Sequence, residues 1–419
     1  METVRLDEGL RRTVAPNGLV VVSERLPGLR SAAVGVWVRA ASAHEAPEKL
    51  GAAHLLEHLV FKGTERRDAR ELALSLEVRG GSLDAYTGRD TTSYQAHVLD
   101  ADLPLAVEVL TDLVRRPLLR EQDLKLEREV VLEEIAGVED APEELAFDLH
   151  ATALWPEHPY GRPILGTRET VSALAADDLR ALHTSGYFAG NCVIAAAGNV
   201  HHDQLLTVLE REGWFEAPAA GTPARWGPPV PAPAVRGGTQ DVARDTAQVH
   251  LLLGTDTFAY TDPRRFALSM LINALGGGMS SRLFQRVREE LGLAYAVYAY
   301  RQSYQSTGQL GIYVGTRKET AEQALAEIRS ELARVSSESL PAAELDDARR
   351  QLKGQIMLSL ESPSSRMSRL ASLELHNEPY RPLDALLADV DATGADTVAE
   401  VASEYLDPGR QTVLRLGPV

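Results

Sequence analysis

The chain has 419 residues, 44% of them hydrophobic and 25% charged, which is enough for two or more domains with well-buried cores. A formal net charge of −17 argues against nucleic acid and anionic membrane surfaces as partners and is compatible with attraction of cationic peptides. No run of about 18 apolar residues occurs, and the start "METVRLDEGLRRTVAPNGLVVV" lacks an apolar signal stretch. The expectation is therefore no membrane span and a cytoplasmic location.

In chain order, alternation and apolar runs predict strands near 18–25 and 32–41, then a short helix carrying "GAAHLLEHLVFKGT" (51–64). A helix near 67–78 follows, then strands at 82–87 and 91–99, long helices near 102–115 and 121–138, shorter helices, and a strand at 191–198. The lone cysteine, Cys192, falls in that last apolar strand and reads as a buried, inert thiol that cannot form an internal disulfide. From Glu216 to Gly238 the chain carries six prolines and no hydrophobic period, the composition of an extended linker. The expected division is an N-terminal domain 1–216, a linker 217–238 and a C-terminal domain 239–419.

After the linker the order recurs. "AQVHLLLGTDT" echoes "AAVGVWVRAAS", "YAVYAYRQSYQSTGQLGIYVG" echoes "LDAYTGRDTTSYQAHVL", and "ELDDARRQLKGQIML" echoes "DLKLEREVVLEEIAG". The fold expected is α+β: two homologous α/β-sandwich halves, each a mainly antiparallel sheet packed with helices. The differences between the copies are informative. Where the first has His54 to His58, the second has the plain apolar helix "FALSMLINAL"; laying Leu345 on Leu124 sets Ala348 against Glu127 and Gln355 against Glu134.

On a helix, His54 and His58 share a face, with Glu57 about a sixth of a turn away. Two imidazoles and a carboxylate buried in an apolar helix cost several kcal/mol unless something satisfies them. His-x-x-Glu-His supplies two zinc ligands and a carboxylate within reach of a metal-bound water, and a catalytic zinc needs a third protein ligand. Glu127, Glu133 and Glu134 of "LEREVVLEEIAGVED" are the candidates, the first and last stacked on one helical face.

On these motifs the chain resembles the pitrilysin and insulinase zinc metallopeptidases, the inverzincins. Its length is similar to the half-length branch that includes the mitochondrial processing peptidases and bacterial processing-peptidase-like proteins. "NGLVVVSERLPGLRSAAVGVWV", "GRPILGT" and "SSRLFQRVREELGLAYAVYAY" extend the similarity over nearly the whole chain. The resemblance implies His54, His58 and Glu134 as ligands of one Zn2+ per chain, with Glu134 lying 76 residues beyond His58, and Glu57 as general base. It also implies Glu127 as a supporting carboxylate on the face of Glu134, and Arg288 and Tyr295 as substrate-holding donors to a developing oxyanion. "GGSLDAYTGRD" corresponds to an edge strand that pairs with the substrate backbone, so Asp84, Ala85 and Tyr86 are the expected substrate contacts; relatives usually carry Asn where this chain has Asp84. "LGGGMSSRLF" lacks the Gly-Lys-Ser/Thr ending and the preceding strand of a phosphate loop, and reads as a helix C-cap and turn.

The implied activity is zinc-dependent endopeptidase cleavage of unstructured peptides or precursor segments. With two domains per chain, the resemblance implies that two chains enclose the substrate, as a homodimer or as a heterodimer with a related chain. The alternatives are a non-catalytic partner subunit of a heterodimeric processing peptidase and a zinc hydrolase acting on non-peptide amides.

Overall fold

Alternating and continuous apolar runs in the first half build a seven-stranded sheet in the computed structural model, which describes residues 1–217, 230–233 and 237–418. Its strands are β1 (Glu2–Asp7), β2 (Leu10–Val14), β3 (Val20–Arg25), β4 (Ser31–Val38), β5 (Ser82–Thr87), β6 (Thr92–Leu99) and β7 (Cys192–Gly198), in the order β1-β2-β3-β7-β4-β6-β5. A second sheet is formed by β8 (Gly238–Ala243), β9 (Val249–Thr257), β10 (Ala294–Ser303), β11 (Gly308–Thr316) and β12 (Thr412–Gly417), in the order β10-β11-β9-β12-β8. Each sheet is antiparallel except for one parallel pair, β3 with β7 and β12 with β8. Reading the second sheet as β8-β12-β9-β11-β10 reproduces β3-β7-β4-β6-β5 strand for strand, which is the duplication expected from the sequence. The first sheet adds the β1-β2 hairpin, which sequence reading leaves out. β1 is almost wholly exposed, with only Val4 and Leu6 as apolar residues and neither of them buried, and it is held by its backbone ladder to β2.

The chain gathers into two compact units, each assembled from three segments. One comprises Met1–Ile135, Pro163–Pro229 and Ser359–Tyr380; the other comprises Ala136–Arg162, Val230–Leu358 and Arg381–Val419. Two helices are therefore exchanged between the sequence halves. In the first unit, Ala32, Val34, Val36 and Val38 of β4 face the helices Ala52–Val60 and Leu103–Arg115. Ala33 and Trp37 on the other face of β4 pack with Met367, Leu370 and Ala371 of the helix Pro363–Leu375. The second unit repeats the arrangement. Leu251 and Leu253 of β9 meet the helices Arg265–Gly276 and Ala321–Glu338, while Leu252 faces Ala146 on the helix Pro142–Leu154. Strands covered on both faces lose polar alternation, which is why β4, β7 and β9 read as continuous apolar runs.

Most of the expected linker, 218–229 and 234–236, lies outside the described residues. Cys192 is fully buried at the start of β7, its thiol pushed up to about 12 by desolvation, as expected for an inert side chain. "LGGGMSSRLF" closes the helix Arg265–Gly276, with Gly277 as its cap. Among the described residues no helix is long and apolar enough to cross a membrane.

Candidate metal centre

The helix Ala52–Val60 is held down by its apolar face. Leu55, Leu56, Leu59 and Val60 are essentially inaccessible, each burial stabilising by about 1.5–3 kcal/mol. The helix begins at Gly51, where φ is +88° and an added Cβ would lie 2.5 Å from the Leu165 carbonyl oxygen, so both conformation and space demand glycine. The buried Glu45 caps it: its carboxylate accepts from the N–H groups of Gly51 at 2.9 Å and Ala53 at 2.6 Å. His54, Glu57 and His58 remain on the half-open side, and the two imidazole centroids are 4.7 Å apart.

The helix Glu121–Asp140 faces them. Its buried side is Leu124, Glu127, Val131 and Ile135, and the same spacing aims Glu134 at the histidines while Glu133 turns to solvent. Glu134 Oε2 lies 3.7 Å from His54 Nε2, and its Oε1 lies 3.6 Å from His58 Nε2. One donor atom from each of His54, His58 and Glu134 falls within 4.8 Å of the others. These spacings suit a tetrahedral zinc, whose donors at bond lengths of about 2.1 Å stand roughly 3.4 Å apart. Desolvation, then the neighbouring His58, pulls His54 down to about 4, so its imidazole is neutral at physiological pH and offers a lone pair. The buried Nδ1 of His54 has no hydrogen-bond partner among the described residues.

Glu127 lies beneath this group with its side chain 7% exposed. Its Oε2 accepts from His58 Nδ1 at 3.1 Å, and its Oε1 accepts from Lys62 Nζ at 2.8 Å. Glu57 takes no part in the three-donor group. Thr87, the buried last residue of β5, donates its hydroxyl to Glu57 Oε2. Burial raises the Glu57 pKa; the Thr87 hydrogen bond and His58 oppose the rise, while Asp84 and Glu134 add to it.

β5 is the outermost strand of its sheet and carries Asp84, Ala85 and Tyr86, opposite Gln95, Tyr94 and Ser93 of β6. Tyr86 is 66% exposed, and Asp84 accepts from the following N–H of Ala85 at 2.9 Å. In the second unit, Arg288 and Tyr295 are brought together, the guanidinium carbon 5.0 Å from the ring centre. A break in the β10-β11 register between Ala294 and Ala296 leaves Tyr295 78% exposed. At the positions matching Glu127 and Glu134, the second copy has Ala348 and Gln355, and its glycine-capped helix carries no histidine.

Residues 20–168 match the profile of insulinase (peptidase family M16), and residues 173–352 match that of the M16 inactive domain. An uncharacterized zinc protease of Streptomyces coelicolor is 40% identical over 417 residues, covering 98% of this chain and 90% of that protein. The chain belongs to peptidase family M16. Other M16 relatives named uncharacterized zinc proteases include one from Mycobacterium tuberculosis, 39% identical over 97% of this chain and 93% of its own length. Another, YmxG of Bacillus subtilis, is 38% identical over 94% and 95%. The M16 fold is shared with a crystal structure entitled peptidase M16 inactive domain from Pseudomonas fluorescens, at TM-score 0.89, 22% identity and 98% coverage of both chains. A protease from Helicobacter pylori superposes at TM-score 0.87, with 23% identity and 98% and 99% coverage.

Sequence reading did not single out Glu45, Lys62 or Thr87 for this site. Lys62 follows His58 by four residues but lies in the turn beyond the end of the helix at Val60, so its spacing carries only a weak signal. Glu45 and Thr87 act across loops and strands, where spacing carries none.

Proposed function

We propose that this chain is a zinc-dependent endopeptidase cleaving unstructured peptides or precursor segments inside a chamber formed by two chains, as a cytoplasmic homodimer or with a related partner chain. The observation that carries the reading is the convergence of His54, His58 and Glu134 beside the buried carboxylate of Glu57, in a chain of the M16 family.

His54, His58 and Glu134 are the residues that would hold the zinc. When bound, the ion supplies Lewis acidity that lowers the pKa of a water to about 7 and polarises the scissile carbonyl. Glu57 takes the proton of the attacking water and delivers it to the leaving amine, a task suited to a carboxylate whose pKa burial has raised. Thr87 engages Oε2 of Glu57 and leaves Oε1 to carry the proton. The exposed edge of β5, with Asp84, Ala85 and Tyr86, pairs with an extended substrate backbone, and Arg288 and Tyr295 donate hydrogen bonds to the developing oxyanion. The net charge of −17 favours basic or presequence-like peptides.

Glu57→Gln tests the assignment. Zinc content should stay at the wild-type value while turnover of an unstructured peptide falls by about 10²- to 10⁴-fold. Undiminished cleavage refutes Glu57 as the base. A zinc-loaded wild type that cleaves no peptide refutes the peptidase reading and favours the partner-subunit alternative.

A further inference from the structure

We infer that Lys62 is a positioning residue for the metal site, acting through Glu127 on His58; the inference rests on the zinc reading above. The two oxygens of Glu127 have separate donors, Lys62 Nζ at 2.8 Å on Oε1 and His58 Nδ1 at 3.1 Å on Oε2, so the carboxylate is held from both ends. With Nδ1 engaged by Glu127, Nε2 of His58 is the nitrogen facing Glu134, 3.6 Å away.

The arrangement is not required by the fold. At the position of Glu127 the second copy has Ala348, which is buried like Glu127 but apolar. A carboxylate with only 7% of its side chain exposed is costly unless paired, so its retention in the first copy calls for a use. Lys62 itself is anchored: its N–H donates to the Leu59 carbonyl at 3.0 Å, and its own carbonyl accepts from Arg120 Nη2 at 2.9 Å. Arg120 immediately precedes the helix that carries Glu127 and Glu134. That contact ties the end of the histidine helix to the start of the glutamate helix, and Lys62 extends from the tied turn to Glu127. The support is one-sided. His54 Nδ1 is buried without a partner among the described residues, so His54 is oriented by packing and His58 by the Lys62–Glu127 pair.

The test is zinc affinity of the metal-free protein, measured by competition with a chromophoric chelator, for wild type, Lys62→Met, Lys62→Arg, Glu127→Gln and the Lys62→Met/Glu127→Gln double variant. Circular dichroism melts of the metal-free proteins establish that each is folded. Loss of an outer partner typically weakens binding by 10- to 100-fold, so Lys62→Met should bind zinc about tenfold more weakly and Lys62→Arg should restore most of the loss. The double variant should bind no more weakly than Glu127→Gln alone, because Lys62 acts only through that carboxylate. Wild-type affinity in Lys62→Met, or a double variant showing the product of the two separate losses, overturns the inference while leaving the zinc reading standing. A wild type that takes up no zinc overturns both.

Discussion

His150, on the helix Pro142–Leu154, makes the stability of the second unit depend on pH in a way that can be worked out from its surroundings. The ring is fully buried; Nε2–H donates to the Thr412 carbonyl at 3.1 Å, and Nδ1 accepts from Gln309 Nε2 at 3.2 Å. Gly254 makes room for it, since a Cβ there would stand 2.7 Å from His150 Cε1. A second proton would have to sit on Nδ1 and point at an amide that is itself donating. Desolvation accordingly pulls the group from 6.5 down to about 4, with the Thr412 hydrogen bond opposing. Between these values the unfolded chain binds the proton and the folded chain does not, so stability rises with pH and is lost as pH falls. The full gap, at about 1.36 kcal/mol per pH unit, amounts to about 3 kcal/mol below pH 4, and to about 2 kcal/mol at pH 5. Urea unfolding of wild type and His150→Gln, whose amide retains a donor for Thr412, at about pH 7.5 and about pH 5 measures this. Because the other buried histidines titrate alike in both proteins, the comparison isolates His150. Wild type should lose about 2 kcal/mol more than the variant on acidification. Equal losses would refute the assignment of a neutral, doubly engaged ring.

Two further substitutions probe what holds the site in place. Glu45→Ala removes the acceptor of two N–H groups at the start of the histidine helix, and should cost about 1–2 kcal/mol in chemical unfolding. Asp112 is fully buried and accepts charge-assisted hydrogen bonds from Arg67 and Arg116, while Glu108 and Glu212 also pair with these guanidiniums; Asp112→Asn therefore weakens those bonds without stranding a charge, and a loss of about 1–3 kcal/mol is expected, read from the urea midpoint of the first unit.

Much of the site is legible in the chain because the relevant contacts are local. A helix repeats every 3.6 residues, so His54 and His58 must share a face, Glu127 and Glu134 must share another, and Glu133 must point away. The same holds for the sheets. Period-two and continuous apolar runs locate β3 to β7, and the recurrence of that pattern after residue 238 announces a second copy whose strand order the structure repeats. The contrast of Glu127 and Glu134 with Ala348 and Gln355 marks positions where the shared fold does not itself require a carboxylate.

Periodicity determines which side chains share a face but not which element lies opposite, because that depends on contacts between residues far apart in the chain. The family resemblance implied that Glu134 joins the two histidines, but only the tertiary structure decided that Glu127 pairs with Lys62 beneath them, that Glu45 caps the helix from outside it, and that Thr87 reaches Glu57 from the edge strand. It also decided the exchange of the helices Pro142–Leu154 and Pro363–Leu375 between the halves. Each helix presents an apolar face, and which sheet buries it depends on contacts between residues far apart in the chain, which periodicity does not encode.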